Sequence, residues 1–170
     1  MRGRTIASQY EPKMDDRAKA KIVRLPYGEK HLVSEAKDVG LVLASIAREI
    51  ENKKRPSVSV AGGETTVSIS GEHGEGGRNQ ELAMAAALKI GGSKKITIAS
   101  IGTDGSDGPT DIAGAIVDGY IVDSAARAGI DLFACFKVHD TSNAFRRLQD
   151  AIYTGDTGTN LMDLMIVYVS

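Results

Sequence analysis

Three aspartates lie close together in the segment 101–114, which is rich in glycine and contains a proline. These residues, Asp104, Asp107 and Asp111, repel one another unless a cation, a basic side chain or a hydroxyl group neutralises them. Their spacing differs from that of an EF-hand, because glycines and Pro109 interrupt the chain between the carboxylates. The segment therefore predicts a ligand site or a Mg²⁺ site, with a solvated turn as the alternative.

A short β-branched segment, 95–100, precedes this acidic loop and predicts a strand that ends abruptly at Gly102. The acidic loop then leaves the carboxyl end of a strand. In open α/β sheets this is the end where ligands bind, because the loops diverge there while the strands hold them in place.

The glycine-rich segment 71–77 is a second candidate, because it leads into a predicted helix over 79–90 with Asn79 as its cap. Free amides and the positive end of the helix dipole favour a phosphate or a carboxylate there, and Arg78 could bind the same anion with two hydrogen bonds. Neither a Walker motif nor the dinucleotide spacing of glycines is present.

Two further loops place polar groups beside predicted strands. The first, 62–65, separates the predicted strands 57–61 and 66–70, and its two glycines would let the backbone approach a ligand closely. The second, 154–160, is rich in threonine and glycine and precedes a predicted buried strand over 165–169. Phosphate or sugar contacts and simple tight turns are both open interpretations of these loops.

The composition is that of one ordinary domain: 170 residues, 42% hydrophobic, 25% charged, with a formal net charge of -1. Disorder, a broad nucleic-acid surface and a membrane span are not indicated. The single Cys135 excludes an internal disulfide and fits a reducing compartment, so we expect a cytoplasmic protein. We expect His73 to be a surface residue and His139 to have a structural role.

Helices and strands alternate along the chain and predict an independently folding, three-layer α/β sandwich with a mixed β-sheet flanked by helices. Apolar residues recur at helical intervals from about Ser34 to Ile50. The remaining predicted helices cover 122–128, 131–136 and 141–152, and the remaining predicted strands 5–8, 21–25 and 115–118.

Four motifs in order carry a family resemblance: Gly62-Gly-Glu-Thr-Thr-Val67, Gly77-Arg-Asn-Gln-Glu81, the segment 102–111, and Thr157-Gly-Thr-Asn160. With them the chain resembles the carboxy-terminal domain, called MOFRL, of the glycerate 2-kinases once called hydroxypyruvate reductases. The resemblance covers 32–170, and 1–31 is a poorly matched lead-in to this single domain. It implies that an amino-terminal, Rossmann-like kinase domain is absent and that the active site lies between the two domains.

The resemblance implies ATP-dependent phosphoryl transfer to the 2-hydroxyl of glycerate, with Mg²⁺ as a cofactor. Asp104, Asp107 and Arg78 are then the expected catalytic residues, the two aspartates as contacts of Mg²⁺ or of the hydroxyl and the arginine as a contact of phosphate or of the glycerate carboxylate. The other expected binding residues are Glu64, Thr65, Asn79, Gln80, Thr103, Asp111, Thr157, Thr159 and Asn160.

The alternatives are a non-catalytic ligand-binding or assembly domain, a homodimer, and a subunit that acts with a separately encoded kinase domain. We expect the chain to be inactive alone. A reductase is disfavoured, because no dinucleotide fingerprint follows any predicted strand. The chain departs from the family pattern at Asp156, where a proline is usual, at Gln9-Tyr10, and over 138–144, where only Asp140 and Asn143 are kept.

Overall fold

A computed structural model describes residues 21–22, 34–53 and 56–170. Six strands form one sheet in the order β1-β2-β6-β3-β4-β5, in which β1 and β2 are parallel and every other neighbouring pair is antiparallel. The elements in chain order are β1 (Lys21–Ile22), α1 (Ala36–Glu51), β2 (Ser57–Gly63), α2 (Arg78–Ile90), β3 (Ile96–Gly102), β4 (Gly114–Asp118), α3 (Ile121–Arg127), α4 (Leu132–Lys137), α5 (Thr141–Leu148), β5 (Ala151–Ile152) and β6 (Asp163–Val169).

The predicted α/β class with a mixed sheet and flanking helices is confirmed. The last predicted helix was too long, because Gln149 adopts a left-handed conformation with φ 64° and ends α5. The predicted strand 5–8 and the end of the predicted strand 21–25 lie outside the described residues.

The predicted strand 66–70 is wrong, because this segment leaves the sheet and binds the start of α1. Thr66 forms an isolated bridge with Glu35, and its carbonyl accepts a hydrogen bond of 2.8 Å from the amide of Ala36. Ser68 donates to the Glu35 carboxylate through its amide and its hydroxyl. The alternating pattern was therefore misleading: the backbone groups of this segment satisfy a helix end instead of a sheet ladder.

Helix α2 is the centre of the core. Ten of its thirteen residues are buried, and its small alanines let α1 and the sheet approach it closely. At Gly40 of α1, a Cβ atom would lie 2.3 Å from the carbonyl oxygen of Leu82, so only glycine fits this helix crossing. Apolar residues from all five helices and from one face of the sheet join the same cluster.

The other face of the sheet is also apolar but is not covered by a described helix. Its side chains are partly exposed, and Tyr168 is 39% exposed. The described residues thus supply a sheet and one helical side of the predicted sandwich, and a layer on the second face is not among them. No helix among these residues has the length and apolar character needed to cross a bilayer.

Four strands begin or end at one edge of the sheet, and this arrangement creates the candidate site. In the sheet register, Asp163 at the start of β6 lies opposite both Gly63 and Gly102, the last residues of β2 and β3. Strand β4 begins at Gly114, opposite Ile101. Loops that are distant in sequence therefore meet beside the first turn of α2, which begins at Arg78.

Asp150, between α5 and β5, supports a pH prediction. Burial, with a smaller contribution from the charge of Asp118, raises the pKa of Asp150 from 3.8 to about 7. Over this range the native chain binds a proton that the unfolded chain has released, so stability falls as the pH rises from about 4 to about 7. We expect Asp150→Asn to remove this component, so that the variant gains stability relative to the wild type at pH 8 but not at pH 4.

Urea denaturation at both pH values measures this difference. Asp156→Asn, in an exposed loop, is the matched control and should follow the wild type. A stability difference between Asp150→Asn and the wild type that is the same at both pH values would contradict the assignment.

Candidate functional site

Arg78 and Asp163 form the centre of the site. The Nε and Nη2 atoms of Arg78 donate to the two carboxylate oxygens of Asp163 at 2.7 Å and 2.9 Å, which is the bidentate geometry of a strong ion pair. Glu64 lies 3.4 Å from the same Nη2 atom. The Asp163 side chain is completely buried, and its hydrogen bonds and charge raise the pKa of Arg78. The guanidinium is thus fixed in orientation and permanently charged, and its Nη1 atom has no hydrogen-bond partner among the described residues.

Asp107 caps α2 from a distant loop. One of its carboxylate oxygens accepts from the amide of Asn79 at 3.0 Å, and the other accepts from the amide of Gln80 at 2.9 Å. The residue is 1% exposed, and burial raises its pKa, while the hydrogen bonds from the two amides act in the opposite direction. The helix end that the sequence offers to a phosphate is therefore occupied by a carboxylate of the same chain.

The glycine-rich loop allows this contact. A Cβ atom at Gly77 would lie 2.3 Å from Cγ of Asp107, and one at Gly76 would lie 2.5 Å from Oγ1 of Thr141. A Cβ atom at Gly74 would lie 2.4 Å from the Cβ of Asp140. These three glycines admit neighbouring segments of the protein itself.

The side chains of Asn79 and Gln80 also bind within the domain. The Nδ2 atom of Asn79 donates to Asp163 at 3.0 Å, and its Oδ1 accepts from the hydroxyl of Ser100 at 2.6 Å. Gln80 is completely buried, and its Oε1 accepts from the hydroxyl of Ser142 at 2.7 Å. Both residues hold α2 to its neighbours, so their predicted contacts with a ligand would compete with these bonds.

The acidic loop and the threonine-rich loop are joined directly. The hydroxyl of Thr157 donates to the carbonyl of Thr103 at 2.5 Å, and the hydroxyl of Thr103 accepts from the amide of Leu161 at 2.7 Å. Asp104 lies in this joined segment, where its carbonyl accepts from the amide of Thr157 at 3.2 Å. One carboxylate oxygen of Asp104 accepts from the amide of Ser106, and the side chain is partly exposed. Among the described residues, Asp104 is therefore the aspartate of the acidic loop that neither caps a helix nor pairs with a basic side chain.

Three other predicted residues are exposed. Thr159 and Asn160 lie on the surface of the threonine-rich loop, and the Asn160 side chain accepts from the amide of Met162 at 3.0 Å. Asp111 is bound elsewhere: its carboxylate lies 2.6 Å from Arg146 of α5, which lowers the pKa of Asp111. The predicted cluster of three aspartates is thus separated by the fold into a buried helix cap (Asp107), a partly exposed carboxylate (Asp104) and an exposed ion pair (Asp111).

A cavity of about 450 Å³ opens beside Arg78, a volume typical of small-molecule sites. Thr65 lies in its wall and is 5% exposed, and its hydroxyl has no hydrogen-bond partner among the described residues. The walls are formed by the first turn of α2, the glycine-rich loop and the segment after β2, and they include Glu64, Thr65, Val67, Ile69, Arg78, Glu81, Pro109 and His139.

The sequence patterns do not place Asp163, Glu81 or His139 at this site, where the structure finds them. Asp163 reads as the polar first residue of a strand, and only its register opposite Gly63 and Gly102 brings it to Arg78. Glu81 contacts His139, which is 58 positions away in sequence, and no local sequence pattern predicts this contact. A useful signal was available for Asp163 alone, because it follows the Thr157–Asn160 motif directly before a buried strand.

The geometry of the site limits which residues could bind Mg²⁺. The described part of the chain contains no group of three or more histidine, cysteine, aspartate or glutamate residues arranged to hold an ion. Both oxygens of Asp107 are used by amides. Asp104 could provide one carboxylate, which is compatible with Mg²⁺ because this ion is often held by one or two carboxylates together with substrate phosphates and water.

The fold and the site together define an α/β domain with an arginine–carboxylate cluster at the edge of a mixed sheet. The chain belongs to the MOFRL family, whose family model matches residues 57–163. This range includes Glu64, Arg78 and Asp163, which form the arginine–carboxylate cluster.

Relatives of known name support this membership. A glycerate 2-kinase of Pyrococcus horikoshii is 43% identical over 143 residues, which cover 82% of this chain and 32% of the relative. A D-glycerate 2-kinase of Thermotoga maritima is 43% identical over 136 residues, which cover 78% and 32%. A protein of Agrobacterium vitis named putative hydroxypyruvate reductase is 39% identical over 146 residues, which cover 81% and 37%.

Two crystal structures share the fold. The glycerate kinase of Thermotoga maritima superposes with a TM-score of 0.82 at 39% identity, covering 91% of this chain and 37% of the other. A protein of Pyrococcus horikoshii superposes with a TM-score of 0.81 at 41% identity, covering 91% and 35%. The chain therefore spans about a third of the length of the relatives that it matches.

Proposed function

We propose that this chain is a domain of a glycerate 2-kinase and supplies one wall of an active site that transfers a phosphoryl group from ATP to the 2-hydroxyl of glycerate. The observation that carries the proposal is the fixed guanidinium of Arg78, held by buried Asp163 next to a cavity in a chain of the MOFRL family. A preorganised positive charge stabilises the negative charge that develops in the transition state, because it does not need to reorient during the reaction.

Each part of the edge has a role in this reaction. The Nη1 atom of Arg78, which has no hydrogen-bond partner among the described residues, would bind a phosphate oxygen or the glycerate carboxylate. Asp104 would hold Mg²⁺, which supplies neutralisation of the phosphate charge when it is bound. Glu64 and Thr65 would form one side of the glycerate site, and the exposed Thr159 and Asn160 would face the nucleotide phosphates. Asp107 would act indirectly, by fixing the start of α2 and thus the position of Arg78.

Exposed polar side chains around the site support an active site completed by a second domain. Glu64, Asp104 and Asn160 keep exposed polar atoms at this edge. We propose that the amino-terminal, Rossmann-like kinase domain of the family covers it, either within a longer chain or as a separately encoded subunit. A ligand held by one wall would exchange its hydrogen bonds with water, and its reacting atoms would not be held in line.

We therefore expect negligible turnover of glycerate by the purified chain alone, and activity on adding the amino-terminal domain of the Thermotoga maritima relative. The gain on mixing should be at least about 10³-fold, since it restores the positioning of two substrates. ADP release in a coupled assay measures the rate with D-glycerate, ATP and Mg²⁺. The amino-terminal domain alone is the control, and robust activity of the chain by itself would contradict the two-wall proposal.

The reductase alternative is tested by measuring NADH binding, and the assembly alternative by measuring ligand binding and the oligomeric state of the chain. Calorimetric titration with NADH separates the reductase from the kinase, since tight NADH binding would favour the reductase over the proposed kinase. A chain that binds neither ATP nor glycerate in the presence of the amino-terminal domain, but elutes as a homodimer, would instead support an assembly domain.

A further inference from the structure

Glu81 and His139 form a carboxylate–imidazole pair in the wall of the cavity beside Arg78. The Nδ1 atom of His139 hydrogen bonds to Oε1 of Glu81. The Glu81 side chain is 4% exposed, whereas the imidazole is 25% exposed. The buried carboxylate therefore faces the ring, and the ring faces the cavity.

The position of the ring is fixed from both sides. Glu81 belongs to the first turn of the rigid central helix α2. His139 has a φ of 56°, which is uncommon for a residue other than glycine. The glycine-rich loop packs directly against it: the amide of Gly74 donates to the carbonyl of Val138 at 2.7 Å, and a Cβ atom at Gly76 would lie 2.8 Å from the carbonyl oxygen of His139. The absence of side chains at Gly74 and Gly76 thus lets the glycine-rich loop pack against His139.

The second nitrogen of His139 is the chemically available one. Its Nδ1 atom is bound to Glu81, and its Nε2 atom has no hydrogen-bond partner among the described residues. A carboxylate bound to one ring nitrogen fixes the tautomer and prepares the other nitrogen to accept a proton. Other titratable groups of the cavity are less suited: Glu64 pairs with Arg78, and His73 is exposed on the glycine-rich loop.

We propose that His139, which stands where this chain departs from the family pattern, is the general base of the reaction in this protein and that Glu81 is its positioning residue, an inference that rests on the proposed function. The 2-hydroxyl oxygen of glycerate forms a bond to the γ-phosphorus of ATP as the bond from this phosphorus to the bridging oxygen of ADP breaks. The hydroxyl proton moves to Nε2 of His139, and the resulting imidazolium is stabilised by the Glu81 carboxylate and later releases the proton to water.

The charges around the pair fit this role. Burial raises the pKa of Glu81, and the hydrogen bond and charge of His139 lower it. From α1 and the residue before it, Lys37 and Glu35 act on the Glu81 carboxylate with opposite signs. Arg78 and His73 line the same cavity. The imidazolium that forms in the reaction would therefore have Glu81 as its direct counter-ion.

The test compares wild type, His139→Gln and Glu81→Gln in the mixture with the amino-terminal domain, across pH 5 to 9. We expect His139→Gln to lower kcat by about 10²- to 10⁴-fold and to remove the acidic limb of the pH–rate profile. Glu81→Gln should lower kcat less and displace that limb, with KM for glycerate nearly unchanged in both variants. Lys94→Gln, an exposed substitution before β3 and thus at the end of the strand opposite the site, is the control and should keep the wild-type rate and profile.

A structural role of His139 predicts a different result. If His139→Gln lowers the melting temperature but the remaining folded enzyme keeps the wild-type kcat and acidic limb, the proposal is overturned. A second measurement does not need turnover: the His139 imidazole signal, assigned in NMR spectra by its loss in His139→Gln, should shift on titration with D-glycerate in the presence of the amino-terminal domain. If the mixture makes no ADP, the proposed function fails by itself, and a His139 signal that D-glycerate leaves unmoved at saturation overturns this inference separately.

Discussion

Replacing Asp107 with alanine is expected to lower the free energy of unfolding by about 3 kcal/mol, because it removes a buried helix cap. The amides of Asn79 and Gln80 would lose their acceptor in a buried site, and the Nδ2 group of Asn79 would lose one of its two acceptors. Urea denaturation of the purified chain measures the change. Asp107→Asn, which keeps the volume and one carbonyl acceptor, should lose less than Asp107→Ala.

Asp104→Ala is the control for this prediction, since it changes an aspartate of the same loop. Its carboxylate is partly exposed and, among the described residues, accepts only from the amide of Ser106, so the expected loss is within the range of ordinary surface substitutions, below about 1 kcal/mol. Equal losses for the two variants would show that Asp107 is not a special cap. The pair also separates stability from catalysis, because we expect Asp104→Ala to reduce activity in the mixture with the amino-terminal domain.

Arg78→Ala is expected to reduce both stability and activity. It leaves the completely buried carboxylate of Asp163 without its bidentate partner, and breaking one side of a buried ion pair costs about 3 kcal/mol or more. In the mixture with the amino-terminal domain, kcat/KM should fall by about 10²- to 10³-fold, as on removal of one fixed electrostatic group from an active site. Urea denaturation and the ADP-release assay measure the two effects.

Arg146→Ala provides the matched arginine control. Arg146 also contacts two carboxylates, Glu75 and Asp111, but all three side chains are substantially exposed, and such pairs contribute little. Arg78→Lys tests the geometry, since lysine keeps the charge but cannot form the two parallel bonds to Asp163. Unchanged kcat/KM in Arg78→Ala would refute the catalytic assignment even if the variant is less stable.

Local patterns determined much of the secondary structure from the sequence alone. The apolar spacing before Ile50 and the alanine-rich segment after Asn79 predicted α1 and α2, because the periodicity of an apolar helix face is visible in residues that are neighbours in sequence. The β-branched segment 95–100 predicted β3 in the same way. The ordered motifs determined the family, which the family model over 57–163 confirms. Their glycines and polar residues also identified the loops that meet at the site edge.

Local patterns failed where a segment's backbone partners come from elsewhere. The segment 66–70 alternates like a strand, but it binds the start of α1 through Glu35 and leaves the sheet. Alternation reports which residues are apolar, and it does not report which neighbour is available for hydrogen bonding.

The roles of individual site residues were decided by the tertiary structure. From the sequence, Asp104, Asp107 and Asp111 are equivalent carboxylates in one loop. In the fold, Asp107 accepts hydrogen bonds from amides of α2, Asp111 pairs with Arg146, and Asp104 stays partly exposed. Asp163 is paired with Arg78 across 85 positions, because the sheet register places the start of β6 beside the start of α2. The sequence determines which groups can accept or donate, whereas burial and partners, which set what each group does, depend on contacts between segments that are far apart along the chain.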